Sequence, residues 1–336
     1  MKSGFIFAAT ILVGGAALIP PALSQTASTE PVLSLSKGSG QAYPDRPVRV
    51  LVGLAPGGGT DSVARILTQK LADTLAQSFV VDNRPSAGGN VAGELAARAT
   101  PDGYTLIIVT PTHVINPSLY RNVLFDAIRD FAGVGQIVDA QYYLSLANAV
   151  PAASVKELIA LAKTRNPPLA YASTGIGSAN HLSGELLKAM AGIDMTHVPY
   201  KGGAPALSAL IAGEIQVSFT SGVIIPHSKA GRVKTIAVTG AKRTPLAPEI
   251  PTINEAGVPG YEVVGWYGMA APVKTPKPVI DLLNRTMNRV LPELRPRYAA
   301  LGMDLVGGSS ADFDALLRRE RDKWAKVVKM SGAKVE

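Results

Sequence analysis

Short apolar runs rich in β-branched residues recur along this sequence, each followed by a glycine turn and a helical pattern. The run VRVLVGL (48–54) leads into the glycine loop APGGGTD (55–61), and residues 61–77 then have the spacing of an amphipathic helix. SFVVDNR (78–84) and YTLIIVT (104–110) have the same character as the first run. This alternation predicts an α/β fold with mainly parallel sheets flanked by helices.

The pattern restarts after Val138, and a length of 336 residues is also typical of two domains. From about Trp266 the chain becomes mostly helical, with too little strand for a sheet of its own. We therefore expect these last elements to pack on the first domain, so that the middle segment is an insertion. The first predicted lobe consists of residues 43–141 and 263–336, and the second of residues 142–262. Two crossovers join the lobes and form a hinge.

The N-terminus has the pattern of a cleaved secretory signal peptide, predicted to span residues 1–24. Lys2 precedes an apolar stretch from Phe5 to Ile19, which is followed by two prolines and small residues. A membrane anchor is the alternative, but this stretch is shorter than the roughly 20 residues of a comfortable span. Residues 25–42 are polar and aperiodic, which predicts a flexible lead-in. The sequence has no cysteine, so a lipid-carrying N-terminal cysteine is excluded, and a periplasmic protein is expected.

The composition indicates a compact globular protein, because 47% of the residues are hydrophobic and only 17% are charged. The formal net charge is +8, but the basic residues are spread along the chain and form no recognised nucleic-acid motif. We therefore expect no nucleic-acid partner. A basic surface that attracts acidic small molecules is the simpler interpretation.

Two glycine turns have the same construction, and each precedes a predicted helix. In the first, Thr60 or Asp61 can cap the helix, and in the second, ASTGIGSANH (172–181), Ser178 or Asn180 can do so. Unpaired amides at a helix start attract anions, and in parallel α/β sheets ligands bind at this end of the strands. One such loop in each half of an exported chain favours a ligand clamp. The alternative is that the glycines only make tight turns.

Side chains near two further glycine turns are weaker candidates. A third turn contains Arg84, and a fourth, YKGGAP (200–205), contains Tyr200 and Lys201. Arg84 and Lys201 are candidate counter-charges for an acidic ligand, although each is equally consistent with a solvated surface charge. Tyr200 and Trp266 could line a cleft or belong to the core, and the core interpretation is favoured for Trp266.

The sequence does not assemble a nucleophile, a base and an orienting group. It has no cysteine, no G-x-S-x-G elbow, no G-K-[ST] after the glycines and no G-x-G-x-x-G fingerprint. No two histidines are spaced as a metal-binding pair. The histidines are His113, His181, His197 and His227. We therefore expect neither an enzyme nor a cofactor or metal site.

Ordered stretches of the sequence resemble the substrate-binding proteins of tripartite tricarboxylate transporters, the Bug-type receptors. They include YPDRPVRVLVGLAPGGGTDSVAR, DNRPSAGGNVAG, YASTGIGSANHLSGELL and HVPYKGGAPALSALIAGEI. The match is collinear from Tyr43 to about Ala333. The resemblance implies a periplasmic-binding-protein fold, with two α/β lobes around a cleft.

The resemblance also implies a receptor that binds a small carboxylate and delivers it to a two-component membrane permease. In this family the glycine loops of both lobes hold the ligand through backbone amides and hydroxyls. We expect the protein to work as a monomer. Carried over to this sequence, the expected ligand-binding residues are Ala55, Gly57, Gly58, Gly59, Thr60, Asp61, Ala87, Gly88, Thr112, Ser173, Thr174, Gly175, Gly177, Ser178, His181, Tyr200, Lys201 and Gly202.

One departure from the family pattern falls on the predicted strand from Gln216 to Ser221. Gln216 stands where the family usually has Asp, and FTS replaces a commoner FD. Two acidic groups are therefore missing around this strand. If the end of the strand faces the cleft, the receptor should tolerate a more anionic or differently shaped ligand than relatives that keep the acids. Neutral drift at a hinge is the other interpretation.

Two other functions stay open on the sequence alone. An exported enzyme acting on a carboxylate would need a base, and Asp61, His181 or Tyr200 would have to supply it. In a sensory role, the loaded receptor would engage a membrane kinase instead of a permease, or in addition to one.

Overall fold

The computed structural model describes residues 35–36, 42–200 and 203–331. The predicted signal peptide (1–24) and most of the predicted lead-in (25–42) lie outside the described residues. Within the described part of the chain, no helix combines the length and the apolar character that a membrane span requires.

The strands follow the apolar runs of the sequence, because β-branched side chains fit well on a pleated sheet. In chain order they are β1 (Leu35–Ser36), β2 (Ala42–Tyr43), β3 (Val48–Val52), β4 (Phe79–Asn83), β5 (Thr105–Val109), β6 (Phe131–Gln141), β7 (Tyr143–Ala147), β8 (Leu169–Ser173), β9 (Met195–Pro199), β10 (Val217–Thr220), β11 (Val233–Val238), β12 (Val264–Pro272) and β13 (Asp304–Leu305).

The helices alternate with the strands, and two single 3₁₀ turns (Ala87–Gly89 and Gly222–Ile224) join them. The helices are α1 (Gly59–Leu75), α2 (Asn90–Ala97), α3 (Pro111–Leu119), α4 (Val155–Thr164), α5 (Ala179–Ala191), α6 (Gly203–Ala212), α7 (Ile225–Lys229), α8 (Lys277–Ala299) and α9 (Ser310–Ser331).

Two mixed sheets define two lobes. The first lobe contains the sheet of order β13-β6-β12-β5-β3-β4, and the second lobe contains the sheet of order β11-β7-β10-β8-β9. Strands β4, β3 and β5 are parallel to one another, as are β10, β8 and β9, whereas the other pairings in these two sheets are antiparallel. The α/β prediction is therefore confirmed, but the sheets are mixed instead of mainly parallel.

The two faces of the first sheet bury alternate residues of each strand, as a period of two requires. Val50 and Val52 of β3 pack in the core that α1 and α8 cover. Leu51 of the same strand belongs to a second core, which continues into the second lobe and includes Tyr171 and Trp266. Trp266 is buried, so the core interpretation of this residue is confirmed.

The C-terminal helices pack against elements of the first sheet and its helices. Helix α8 packs against β6 and α1, and α9 packs against β6 and α3. Helix α9 also contacts α5 of the second lobe, so it connects both lobes. The strands of the first sheet come from residues 48–141 and 264–305, and those of the second from residues 143–238.

Three elements differ from the sequence-based expectations. Strand β6 and helix α3 were not predicted, and α8 is one helix of 23 residues where two were expected. In α3, Pro111 lies in the first turn, where its missing N–H costs nothing, but Pro117 obscures the helical pattern. In α8, Pro292 and Pro296 both lie inside the helix, and burial of Leu291, Leu294 and Tyr298 holds that last part against the core.

Candidate functional site

The loops after the three parallel strands of the first lobe meet at one edge of the sheet and lead into α1, α2 and α3. The N-caps of these helices are Gly58, Gly89 and Thr110. None of these three residues, all of them within the described chain, makes a side-chain cap hydrogen bond. In α2 the Val91 amide already donates to Ser86 Oγ at 3.1 Å, and α3 begins with Pro111, which has no amide, so α1 has the most open start. The helix dipoles favour a negative charge at all three starts.

A cavity of about 30 Å³ lies among these three helix starts. This is about the volume of one water molecule or one carboxylate oxygen. Its lining is formed by backbone, hydroxyl and apolar groups. The lining residues are Gly53, Leu54, Thr60, Gly88, Gly89, Ile107, Ile108, Val109, Thr110, Thr112, His113 and Phe125.

The first glycine loop is held in place by Asp61. Its carboxylate accepts hydrogen bonds from the Gly57 amide (2.9 Å), from Arg65 (2.9 Å) and from Asn83 (3.0 Å). Burial opposes the charged form, but these hydrogen bonds together lower the pKa of Asp61 below its ordinary value. Gly57 has a φ of 81°, a conformation that favours glycine.

The predicted cap at Thr60 or Asp61 is wrong, because α1 begins one residue earlier and its N-cap is Gly58. Asp61 accepts from the Gly57 amide, which precedes the helix, instead of from an amide of the first turn. Its carboxylate therefore shapes the loop and is occupied by three internal donors. The sequence signal for this arrangement was the Gly-rich run itself, and Asn83 at the end of β4 was missed.

Close backbone packing brings the second and third helix starts against the first loop. A Cβ atom on Gly53 would lie 2.7 Å from the Cα of Gly89, so only glycine fits here. Asn116 of α3 donates to the carbonyl of Gly88 at 2.7 Å and to Asn90 at 2.7 Å. Asn116 is buried and was not predicted, although the INPSLY motif contains it.

Thr112 and His113 lie in the first turn of α3 and line the cavity. The hydroxyl groups of Thr112 and Thr110 are 2.7 Å apart. His113 packs between Phe125 and Phe131, and its burial lowers its pKa to about 4, so the ring is neutral at pH 7. Its Nε2 atom has no hydrogen-bond partner among the described residues.

The second-lobe loop has the same position after β8, but its polar groups bond mainly to one another. Ser173 Oγ contacts His197 Nε2 at 2.7 Å and the carbonyl of Gly175 at 3.0 Å, and it accepts from the Gly175 amide at 3.1 Å. Ser178 caps α5 by accepting from the His181 amide at 3.2 Å, as one of the two predicted alternatives had it. These hydrogen bonds hold the loop in one conformation.

His181 stabilises this loop from beneath. Its Nδ1 accepts from the Gly177 amide at 3.1 Å, and its ring stacks on His197 with centroids 3.9 Å apart. Burial, with a smaller contribution from Lys188, lowers the pKa of His181 to about 4. Burial likewise lowers the pKa of His197 to about 4. Both rings are therefore neutral at pH 7, and the acceptor that holds Gly177 is retained.

Thr174 connects the loop to the neighbouring strand. Its hydroxyl donates to Asn180 Oδ1 at 3.0 Å, and the amide group of Asn180 donates to the carbonyl of Phe219 at 2.5 Å. Tyr200, which follows β9, donates its backbone amide to Ser173 and is half-buried. The ends of β8, β9 and β10 thus meet at one edge of the second sheet, as those of β3, β4 and β5 do in the first.

The two lobes touch on either side of these loops. A Cβ atom on Gly177 would lie 2.5 Å from Cδ1 of Leu119, at the end of α3. A Cβ atom on Gly222, after β10, would lie 2.7 Å from the Cα of Gly302. Gly59 at the start of α1 lies near the side chain of Met303. The glycine loops of both lobes therefore border one interlobe region.

Of the other residues that the sequence suggested for ligand binding, those that the structure describes do not line this cavity. Ala55 is exposed, and Arg84 forms an ion pair with Asp82 at 2.9 Å. Ala87 begins the 3₁₀ turn beside the cavity. Lys201 and Gly202 lie outside the described residues.

Gln216 lies away from the cleft edge. It precedes β10, where its backbone amide donates to Ala170 and its side-chain oxygen accepts from the Ala170 amide at 3.0 Å. Thr220, at the other end of the strand, is buried and contacts Ser218 at 3.0 Å. The family departure at Gln216 therefore lies away from the edge where the loops meet. The departure in FTS, at Thr220, lies next to that edge.

The arrangement offers amides and hydroxyls, and two of the three residues that the sequence offered as possible bases are occupied. Asp61 is occupied by three donors, and His181 Nδ1 accepts from a backbone amide. The described residues include no cluster of three or more His, Asp or Glu side chains arranged to bind a metal ion. Such a site can hold an anion and orient it.

Comparison with known proteins agrees with this chemistry. The family described as tripartite tricarboxylate transporter family receptor matches residues 63–333. A Rhodopseudomonas palustris protein solved with adipate is 38% identical, with a TM-score of 0.80, and the match covers 87% of this chain and 100% of that one. The periplasmic binding protein BugD is 34% identical, with a TM-score of 0.77 and coverage of 88% and 100%.

MatC from Rhodopseudomonas palustris, solved with bound malate, is 32% identical, with a TM-score of 0.76 and coverage of 85% and 100%. These likenesses confirm the periplasmic-binding-protein fold that the sequence predicted. The family consists of receptors, so the enzyme alternative is not supported. The chain belongs to the receptor family of the tripartite tricarboxylate transporters, and it is a solute receptor.

Proposed function

We propose that this receptor binds a small organic acid between its lobes, with the acid's carboxylate against the three helix starts of the first lobe. The observation that carries this is the convergence of three helix starts around one cavity, which is lined by Thr60 of α1, by Gly89 before α2 and by Thr110 before α3. Open amides at helix N-termini donate hydrogen bonds to anions and therefore bind them well. The adipate and malate of the two relatives are both carboxylates.

The two lobes have different roles in this proposal. In the second lobe, the amides of Gly175 and Gly177 already have internal acceptors, so that loop serves as a rigid wall. Its remaining groups, such as the Thr174 and Ile176 amides, would contact the ligand when the lobes close. Contacts from both lobes exist together only in the closed form, so the ligand would favour closure.

Export to the periplasm and delivery to a two-component permease complete the proposal. The N-terminal signal peptide pattern and the name of the periplasmic relative BugD support the location. The family's description supports the permease. Uptake of labelled ligand into cells that express such a permease, with and without this receptor, tests the delivery step.

Gly58 allows a matched test of the anion site. Its φ is −81°, which proline can adopt, and a Cβ atom there would meet only the Ala55 carbonyl at 3.6 Å. Gly58→Pro therefore removes one amide donor, whereas Gly58→Ala keeps it and adds only a methyl group. A hydrogen bond to a charged group contributes about 1.5–3 kcal/mol, so Gly58→Pro should weaken binding about 10- to 100-fold.

The measurement is isothermal titration of the exported chain with adipate and with malate. We expect stoichiometric binding without turnover, weaker binding for Gly58→Pro, and wild-type affinity for Gly58→Ala. Equal affinity of the proline variant and the wild type would contradict the assignment of the site. Product formation from either acid would contradict the receptor function.

A further inference from the structure

The loops that border the interlobe region carry three large apolar side chains that are unusually exposed. Leu54, Ile176 and Val223 are 41%, 47% and 50% exposed. Each follows one of the parallel strands, β3, β8 or β10, at the edge where the helices start. Large apolar side chains at the mouth of a binding cleft are typical of a ligand-contacting surface.

Each of these side chains is next to a residue that marks the interlobe region. Leu54 lines the cavity beneath the first loop. Ile176 precedes Gly177, which meets Leu119 of the other lobe. Val223 follows Gly222, which meets Gly302 of the other lobe.

The same segments contain no formally charged side chain. Residues 53–60, 110–113, 173–178, 221–224 and 301–303 include no Asp, Glu, Lys or Arg. The described charged residues that directly adjoin these segments are Asp61, which pairs with Arg65 at 2.9 Å, and Asp304, which is half-buried in β13. An ammonium group that faced Leu54, Ile176 and Val223 would lose its water without gaining a polar partner from these side chains. A row of hydroxyl groups would face Leu54, Ile176 and Val223.

We infer that the ligand of this receptor is a carboxylic acid whose body is hydrocarbon, in contrast to an amino acid or a polyhydroxy acid. The inference rests on the proposed function, because the carboxylate itself is held by the amides of the first lobe. The apolar body then lies against Leu54, Ile176 and Val223. Adipate is an acid of this class, and 2-aminoadipate is the same chain with one ammonium group added.

The first test is a titration of the exported chain with adipate, 2-aminoadipate and tartrate. We expect adipate to bind at least about 10-fold more tightly than either of the others, because the others bury polar groups without partners. If 2-aminoadipate or tartrate bound more tightly than adipate, this inference would be wrong, but the proposed function as a carboxylate receptor would be unaffected. Binding of none of the three, nor of malate, would contradict the proposed function itself.

The second test uses substitutions of exposed residues, which should leave folding intact. Ile176→Ser and Val223→Ser should each weaken adipate binding about 3- to 10-fold, since each removes apolar contact with the ligand. Val273→Ser is the matched control, because Val273 is 46% exposed and follows β12 at the opposite edge of the first sheet. Unchanged adipate affinity in both loop variants would overturn the inference, as would an equal loss in the control.

Discussion

The carboxylate of Asp61 accepts a hydrogen bond from the backbone amide of Gly57 at 2.9 Å, so a residue of α1 fixes the loop that precedes it. The same carboxylate binds Arg65 and Asn83, and it thereby connects the loop, the helix and the end of β4. The amides of the next residues stay open because no side chain caps the helix at Gly58. The loop is thus shaped before a ligand binds, which lowers the entropic cost of binding.

Asp61→Asn should loosen this loop and weaken ligand binding. The variant keeps the shape of the side chain but loses the charge that favours three donors at once. We expect a loss of about 2 kcal/mol in the free energy of unfolding and about 10-fold weaker adipate binding. Urea unfolding and calorimetry measure the two effects.

Asp73→Asn is the matched control, because Asp73 is exposed on the same helix. It should change neither quantity. The lowered pKa of Asp61 adds a second check. Its contribution to stability is complete above the ordinary pKa of an aspartate and is lost as the pH falls through the lower folded-state pKa, and Asp61→Asn should remove this part of the acid sensitivity.

Three histidines with lowered pKa values predict that acid destabilises the protein between about pH 6.5 and about pH 4. Burial lowers the pKa of His113, His181 and His197 to about 4, against an ordinary value of 6.5. In that window the unfolded chain binds more protons than the folded one, so stability falls as the pH falls. For each histidine that stays neutral in the folded protein across this window, the free energy of unfolding falls by up to about 3 kcal/mol.

Urea unfolding at several pH values between 7 and 4.5 measures this slope. His113→Phe should flatten it, because phenylalanine packs between Phe125 and Phe131 without a group to protonate. If His113→Phe has the same slope as the wild type, the buried neutral ring is not the cause.

Strand-to-helix alternation and the glycine loops were predictable from sequence, because both depend on local composition. Ser154 and Glu157 have the spacing of a capping box, which predicts a helix start at Ser154. The structure confirms this local signal, because Ser154 caps α4 by accepting from the Glu157 amide at 3.2 Å. The start of α1 was misplaced because Gly58, which has no side chain, took the N-cap position. The roles of Asn83 and Asn116 depend on contacts between segments far apart in sequence, which spacing along one segment does not reveal.

Glu320 should contribute strongly to stability, because both tryptophans of the chain donate to it. Trp324 donates to its carboxylate at 2.9 Å, and Trp266 donates to the same oxygen at 3.3 Å. Glu320→Leu would leave two buried indole N–H groups without a partner, at a cost of about 2–5 kcal/mol. Thermal unfolding measures the loss, and the tryptophan emission should shift because both indoles change environment.

Asp322→Leu is the control for this substitution, since Asp322 is exposed on the same helix. It should leave the emission maximum and the midpoint of unfolding nearly unchanged. If Glu320→Leu proved as stable as wild type, the shared carboxylate would be replaceable by apolar packing, as happens for some buried charges.

The contact between Gly222 and Gly302 should control how fully the lobes close. A Cβ atom on Gly222 would lie 2.7 Å from the Cα of Gly302, and backbone on both sides leaves no flexible side chain to move away. Gly222→Ala should therefore disfavour the closed form and weaken adipate binding about 5-fold, since closure and affinity are linked. The free energy of unfolding should change by less than about 1 kcal/mol, because neither glycine belongs to the apolar cores.

Gly203→Ala is the matched control, because a Cβ atom there would meet only Thr174 Cγ2 at an ordinary 3.9 Å. Calorimetry gives the affinities, and small-angle scattering with saturating adipate gives the compactness of each variant. We expect the Gly222→Ala complex to be less compact than the wild-type complex, whereas Gly203→Ala matches the wild type. An affinity loss without any change in compactness would mean that the glycine pair acts on the local loop after β10 and not on closure.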